Sequence, residues 1–202
     1  MQTDYLALIE KVRDFTEQNV KKSRFEHCVR VAEMTALLCR YYGLDERKGY
    51  LAGIGHDMCK NFPVDRQMEI AVRDGEEITE YERRNPSIVH GRAAAVLMEE
   101  KFGITDHDIK EAVANHPSAK LGICDLGKCL FLADKIEPER PQSTKEYREN
   151  LMRLSLNGMF LSVLIENYEY ITVKKGYEIY PHTLEMIDYY KRIVSEENEN
   201  KA

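Results

Sequence analysis

The run Leu51-Ala52-Gly53-Ile54-Gly55-His56-Asp57 is apolar or glycine for five residues and then presents an imidazole and a carboxylate side by side. Asp45 is placed to cap a helix that passes through Leu51, Ala52 and Ile54 and delivers His56 and Asp57 at its end. Gly53 and Gly55 permit close backbone approach along the way. A lone His-Asp pair is common and is usually structural or on the surface. Here it emerges from an apolar segment, where burying both groups without partners costs several kcal/mol. A metal ion or a charged network removes that cost. Two adjacent side chains cannot fill a coordination sphere, so the other ligands must come from other helices, as in metal sites built inside helical bundles.

On both sides the chain reads as helix after helix. Thr3 can cap a first helix whose apolar face holds Leu6, Ile9, Val12 and Phe15. A second runs from about Arg24 to Tyr42, with Val31, Met34, Thr35, Leu38 and Tyr42 as its buried stripe and Gly43 to end it. Pro63 opens a fourth at its first position, and Asp74-Gly75 closes it. A polar stretch from Glu76 to Asn85 follows, and Pro86 starts a helix through His90, Ala94, Leu97 and Met98 to Gly103. Thr105 and Asp108 resemble a capping box for a helix from Asp106 to Asn115. Another spans about Asp125 to Lys135, and Ser143 begins a long helical region. The last helix follows Pro181-His182-Thr183 and frays into a polar tail from Glu196. No alternating strand pattern is longer than Tyr170 to Val173. The expected fold is all-α, a helical bundle in a single domain.

The chain has 202 residues, enough for a core without disulfides. Its net charge of −6 argues against nonspecific binding to nucleic acid, which needs a basic face. A small anionic ligand held by a metal and a few local cations is compatible with it. The five cysteines, Cys28, Cys39, Cys59, Cys124 and Cys129, contain no C-x-x-C pair and are expected as free thiols in a reducing compartment. No N-terminal run has the form of a signal peptide and no stretch approaches 18 apolar residues, so a cytoplasmic protein away from the membrane is expected.

Further candidates lie far from the His-Asp pair in sequence. His27 sits on the second helix, and His90 and His116 follow on later elements. Asp134 ends the apolar run Cys129-Leu130-Phe131-Leu132-Ala133, where a carboxylate is rarely buried unpaired; a structural ion pair is the plainer reading. Imidazole and carboxylate together suit Fe, Mn, Zn or Co rather than Ca. Lys60 can neutralise a polyphosphate or be an ordinary exposed lysine. Arg140 can fork onto phosphate or pair with Glu137 or Glu139, His182 can cap the final helix, and His107 reads as solvated.

The pattern His27, His56-Asp57, Asp134 resembles the H…HD…D motif of the HD superfamily of metal-dependent phosphohydrolases. Several strings resemble more closely the YqeK-type symmetrical diadenosine tetraphosphate hydrolases of bacteria. They are residues 23–32 (Ser23-Arg24-Phe25-Glu26-His27 onward), Gly55-His56-Asp57-Met58-Cys59-Lys60, Val89-His90-Gly91, Leu132 to Arg140, and Tyr180-Pro181-His182-Thr183-Leu184. The likeness spans roughly residues 20 to 190. The HD motif alone says little of substrate; the Ile-Glu-Pro-x-Arg string and the late Pro-His-Thr are more specific.

The resemblance implies an HD-domain bundle with a packed N-terminal helix (1–20), a metal-binding core (21–140), C-terminal helices that complete the nucleotide pocket (141–195) and a tail (196–202). It implies that His27, His56, Asp57 and Asp134 bind a first metal, iron in this family, and that His90 and His116 bind a second or touch phosphate. Asp57, Lys60, His90 and His116 would serve the reaction, with Asp57 as the natural bridging carboxylate. Nucleotide contacts would come from Arg30, Lys60, His90, His116, Asp134 and Arg140, and from the loop Gly176-Tyr177-Glu178-Ile179-Tyr180-Pro181. The substrate, a dinucleoside polyphosphate, would be diadenosine tetraphosphate, cut symmetrically by metal-activated water into two ADP. The family usually has Thr-Thr-Gly after the fourth motif histidine; here it is Pro117-Ser118-Ala119, so phosphate contacts near His116 differ. An HD hydrolase of a nucleoside monophosphate, deoxynucleotide or alarmone is the alternative enzyme. A noncatalytic nucleotide sensor would show broken ligand positions, and a structural metal bundle would be Cys-rich. A homodimer is left open.

Overall fold

The structure, a computed structural model, describes residues 4–200. Among these it is all-α, with eleven α-helices and no strand. In chain order they are α1 (Tyr5–Asn19), α2 (Lys22–Tyr41), α3 (Glu46–Gly55), α4 (Val64–Ala71), α5 (Glu80–Arg84), α6 (His90–Phe102), α7 (His107–Asn115), α8 (Asp125–Ile136), α9 (Lys145–Leu151), α10 (Leu156–Glu169) and α11 (Thr183–Glu199).

The short helix α3 is the centre of the bundle. Asp45 accepts a hydrogen bond from the Arg47 N–H and starts it. Leu51, Ala52 and Ile54 have no exposed surface, because α1, α2, α7 and α8 all pack on this helix. A Cβ on Gly53 would lie 2.4 Å from the Ala32 Cα, so only glycine lets α2 and α3 touch main chain to main chain. The second glycine, Gly55, faces the Met98 side chain instead. The Ile54 carbonyl, near the end of α3, accepts from the Thr16 hydroxyl of α1 at 3.1 Å. That bond satisfies one of the carbonyls left over at the buried helix end.

On α2, Val31, Met34, Thr35 and Leu38 are buried as the periodicity predicts, whereas Tyr42, the last of the expected stripe, follows the helix and is only half-buried. Around this core α6 packs on α7, α7 on α8, α8 on α10, and α10 on α11.

Several local expectations are corrected. Thr3 lies outside the described residues; Asp4 caps α1 by accepting from the Ala7 N–H, and Leu6 is 69% exposed. Pro63 occupies the position before α4 rather than its first residue. Asp106, not Thr105, caps α7, accepting from the N–H groups of Asp108 and Ile109. The polar stretch from Glu76 to Asn85, given no helix in the sequence reading, holds α5, started by a capping box between Thr79 and Glu82. The region from Ser143 is two helices, capped separately by Thr144 and Ser155. Residues 170–174 form a π-helical turn rather than anything strand-like, and α11 runs on to Glu199, past Glu196.

Candidate metal centre

Four histidines converge from different helices. His27 comes from the first turns of α2, and His56 follows the last residue of α3. His90 opens α6, and His116 follows α7. Gly91 makes the approach of the last two possible, since a Cβ there would meet the Ala114 and Val113 carbonyls at 2.8 and 2.9 Å. All four rings are buried, with 0–5% exposure.

Each ring is held the same way round. His56 Nδ1 donates to the Gly53 carbonyl at 2.6 Å, His90 Nδ1 to Ser87 at 2.7 Å, and His116 Nδ1 to Val113 at 2.8 Å. His27 Nδ1 donates to the Glu137 carboxylate at 3.1 Å. A carbonyl or carboxylate can only accept, so the proton of each neutral ring sits on Nδ1 and the Nε2 lone pair points the other way.

Those lone pairs face Asp57. Its Oδ2 lies 3.6 Å from His56 Nε2 and 4.0 Å from His27 Nε2; its Oδ1 lies 2.9 Å from His90 Nε2 and 3.6 Å from His116 Nε2. Asp57 is therefore shared by two potential metal-binding groups, His27-His56-Asp57 and Asp57-His90-His116. Asp134, near the end of α8, brings Oδ1 to 3.1 Å from His27 Nε2. With the ring proton on Nδ1, that approach is of two lone pairs and not a hydrogen bond. His27 Nε2 and His56 Nε2 are buried and have no hydrogen-bond partner. Buried nitrogens without donors, turned toward carboxylates, are what a divalent cation satisfies. The donor set, imidazole and carboxylate with no thiolate, fits Fe, Mn, Zn or Co. The site residues thus fit a metal.

The titration of these groups follows from burial and mutual charge. Burial pushes His56 down to about 3 and His90 down to about 4, although Asp57 pulls both upward. Both rings are therefore neutral at neutral pH. Against burial, the Lys135 ammonium and the Arg140 guanidinium hold the Asp134 carboxyl well below the usual range.

Cations ring the cluster. Arg24 Nη1 donates to Asp57 Oδ2 at 2.9 Å. Lys135 donates to Asp134 Oδ2 at 2.9 Å and to the His116 carbonyl at 3.0 Å. Arg140 donates to the Asp134 carbonyl and to its Oδ1, both at 2.7 Å. Lys60 Nζ donates to the Ser87 carbonyl at 3.1 Å and lies 3.2 Å from His90; burial lowers its pKa while Asp57 raises it.

The six expected ligands, with Lys60 and Arg140, are brought into one cluster. Arg30 is placed on Glu137, its Nε donating to Oε2 at 2.7 Å. The 176–181 loop docks on α5: Arg84 bonds Glu178 at 2.8 Å, the Tyr81 hydroxyl donates to the Glu178 carbonyl at 3.3 Å, and the Tyr81 and Tyr180 rings meet at 5.5 Å. His182 sits at the N-cap of α11 against Glu185, and His107 is 84% exposed. Ala119, where the resembled family has glycine, adopts φ 59°, the left-handed conformation that glycine takes without strain.

Sequence reasoning missed Arg24 and Glu137. Arg24 had a signal: it precedes His27 by three residues and so shares its helical face. Glu137 lies 110 residues from His27, and nothing local marks its partner.

A helical bundle that folds histidines and aspartates from separate helices into one buried cluster defines a metal-dependent hydrolase of the HD class. The chain belongs to the HD domain family, whose sequence model matches residues 24–139. It is 29% identical over 174 residues to a Halalkalibacterium halodurans protein named "Bis(5'-nucleosyl)-tetraphosphatase, symmetrical", covering 86% of this chain and 92% of that one. A Staphylococcus aureus protein of the same name is 29% identical over 186 residues, covering 90% of this chain and 94% of the relative. A Clostridium acetobutylicum crystal structure, described as a predicted HD superfamily hydrolase involved in NAD metabolism, shares the fold with a TM-score of 0.83. It is 26% identical and covers 91% of this chain and 96% of that chain. No helix among the described residues is long and apolar enough to cross a membrane.

Proposed function

We propose that this chain cleaves diadenosine tetraphosphate symmetrically into two ADP, with one or two iron ions held by His27, His56, Asp57, Asp134, His90 and His116. The observation that carries the reading is the single carboxylate, Asp57, shared by two imidazole pairs inside a rim of cations. The names of the tetraphosphatase relatives supply the substrate. When bound, the metal supplies an acidified water nucleophile near neutral pH and a Lewis acid for phosphate oxygens.

The chain's own residues do the rest. The Nδ1 bonds keep each Nε2 lone pair fixed, so the ligands need no reorganisation. Water oxygen adds to one inner phosphorus, the central bridging P–O bond breaks, and that oxygen leaves with the other half of the substrate, giving two ADP. Lys60 and Arg140 neutralise the polyphosphate, Lys60 as a point charge and Arg140 as a planar fork. Tyr177 and Tyr180 of the 176–181 loop take the nucleoside. Support for this comes from the loop's tether at Glu178 to Arg84 and Asn85, the residues that lead into Ser87 and His90.

Incubation with diadenosine tetraphosphate and metal should yield ADP as the sole nucleotide product. Release of AMP with ATP would rule out symmetrical cleavage, and turnover confined to a nucleoside monophosphate, deoxynucleotide or alarmone would reassign the substrate. Lys60→Ala should raise KM about 10–100-fold, the effect of losing a charged hydrogen bond worth about 1.5–3 kcal/mol, with metal content unchanged. Parallel loss of metal would show that Lys60 supports the ligands instead.

A further inference from the structure

We propose that Glu137 is a positioning residue that fixes the His27 imidazole for the metal, and that Arg30 holds Glu137 in place. The inference rests on the metal-site reading above and adds a function for two side chains outside the ligand set. Three of the four imidazoles give their Nδ1 proton to a main-chain carbonyl; His27 alone gives it to a carboxylate. A carboxylate is the stronger acceptor, so it both fixes the tautomer and raises the donor strength of Nε2.

Glu137 is only 2% exposed. Its Oε1 accepts from His27 and from Arg30 Nη2 at 3.4 Å; its Oε2 accepts from Arg30 Nε at 2.7 Å and from the Glu139 N–H at 2.8 Å. Both oxygens are committed to protein donors. A buried carboxylate stays charged only with such partners. Arg30 lies three residues beyond His27 on α2, so one helical face supplies both groups that grip Glu137. Glu137 directly follows α8, the helix that carries Asp134. The Arg30–Glu137–His27 chain therefore ties α2 to the end of α8 and holds two ligands from different helices in register. Arg30 thereby acquires a use other than the nucleotide contact implied by the family resemblance.

The test measures Mn(II) affinity of the metal-stripped full chain by competition with a fluorescent chelator, alongside KM for diadenosine tetraphosphate at saturating Mn(II). Glu137→Gln should weaken Mn(II) binding about 10–100-fold. Arg30→Ala should weaken it in the same direction by less, with KM unchanged in both variants. Mn(II) affinity in Glu137→Gln within twofold of the parent overturns the inference. So does an Arg30→Ala variant with a raised KM and unchanged Mn(II) affinity, because Arg30 would then serve the nucleotide. If Glu137→Gln fails to fold, Arg30→Ala decides alone, since the Arg30 side chain is 29% exposed. A parent chain that binds no Mn(II) at all would instead sink the metal-site reading underneath.

Discussion

Replacing Asp57 with alanine is expected to remove the metal and the activity together. Asp57 is the one side chain common to both potential metal-binding groups, and all four imidazole Nε2 atoms lie within 4.0 Å of its oxygens. Without it each group falls to two imidazoles, with only Asp134 still close to one of them. Metal chemistry contributes several kcal/mol to such reactions. At roughly 1.4 kcal/mol per tenfold, the loss should be at least about 10³-fold in kcat/KM. Metal analysis of the purified variant should show the bound metal lost. Asp57→Asn, which keeps the shape and one acceptor oxygen, separates loss of charge from loss of packing and should be nearly as inactive. Turnover that persists in the alanine variant, or in metal-stripped parent protein, is incompatible with the hydrolase described here.

Gly53→Ala is the second large effect, and it acts at a distance from the chemistry. The added methyl would sit 2.4 Å from the Ala32 Cα, 2.8 Å from the Ala32 nitrogen and 3.1 Å from the Val31 carbonyl carbon, all main-chain atoms of α2. No rotamer change relieves a clash with main chain, so α2 and α3 must separate. Overpacking of this kind costs about 1–3 kcal/mol. For a chain of this size that lowers Tm by roughly 2–12 °C, taking about 2–4 °C per kcal/mol. The displacement falls on the two helices that deliver His27 and the His56-Asp57 pair, and Gly53 itself accepts the His56 Nδ1 proton. Metal occupancy should therefore fall along with Tm. A thermal melt of the metal-stripped variant and a metal assay read the two effects separately. An unchanged Tm would mean that the close approach of α2 and α3 is not needed.

The heart of the site was legible in sequence because burial makes polar residues conspicuous. His56-Asp57 and Asp134 each end an apolar run, and neither is affordable inside a core without a partner. Helix α2 was legible for a related reason: its apolar positions recur at helical spacing over about four turns. The short helix α5 was not, because five residues polar on nearly every side carry no periodicity. Its capping box, Thr79 with Glu82, was nonetheless present to be read. The break between α9 and α10 was hidden by continuous helical propensity, although Ser155 marks the second start. Pairings such as Glu137 with His27 and Arg30 depend on how α2 meets the end of α8, and no local pattern encodes that meeting. The same holds for the Arg84–Glu178 tether that brings the 176–181 loop to α5.

The most direct measurement is a crystal structure of the Mn(II)-loaded protein with anomalous diffraction collected at the manganese edge. Anomalous density should appear against Asp57 and the Nε2 atoms of His27 and His56, with a second peak, where a second ion binds, against Asp57, His90 and His116. Density located away from Asp57, or rings bound through Nδ1 with their main-chain bonds broken, would contradict the arrangement on which every assigned role depends.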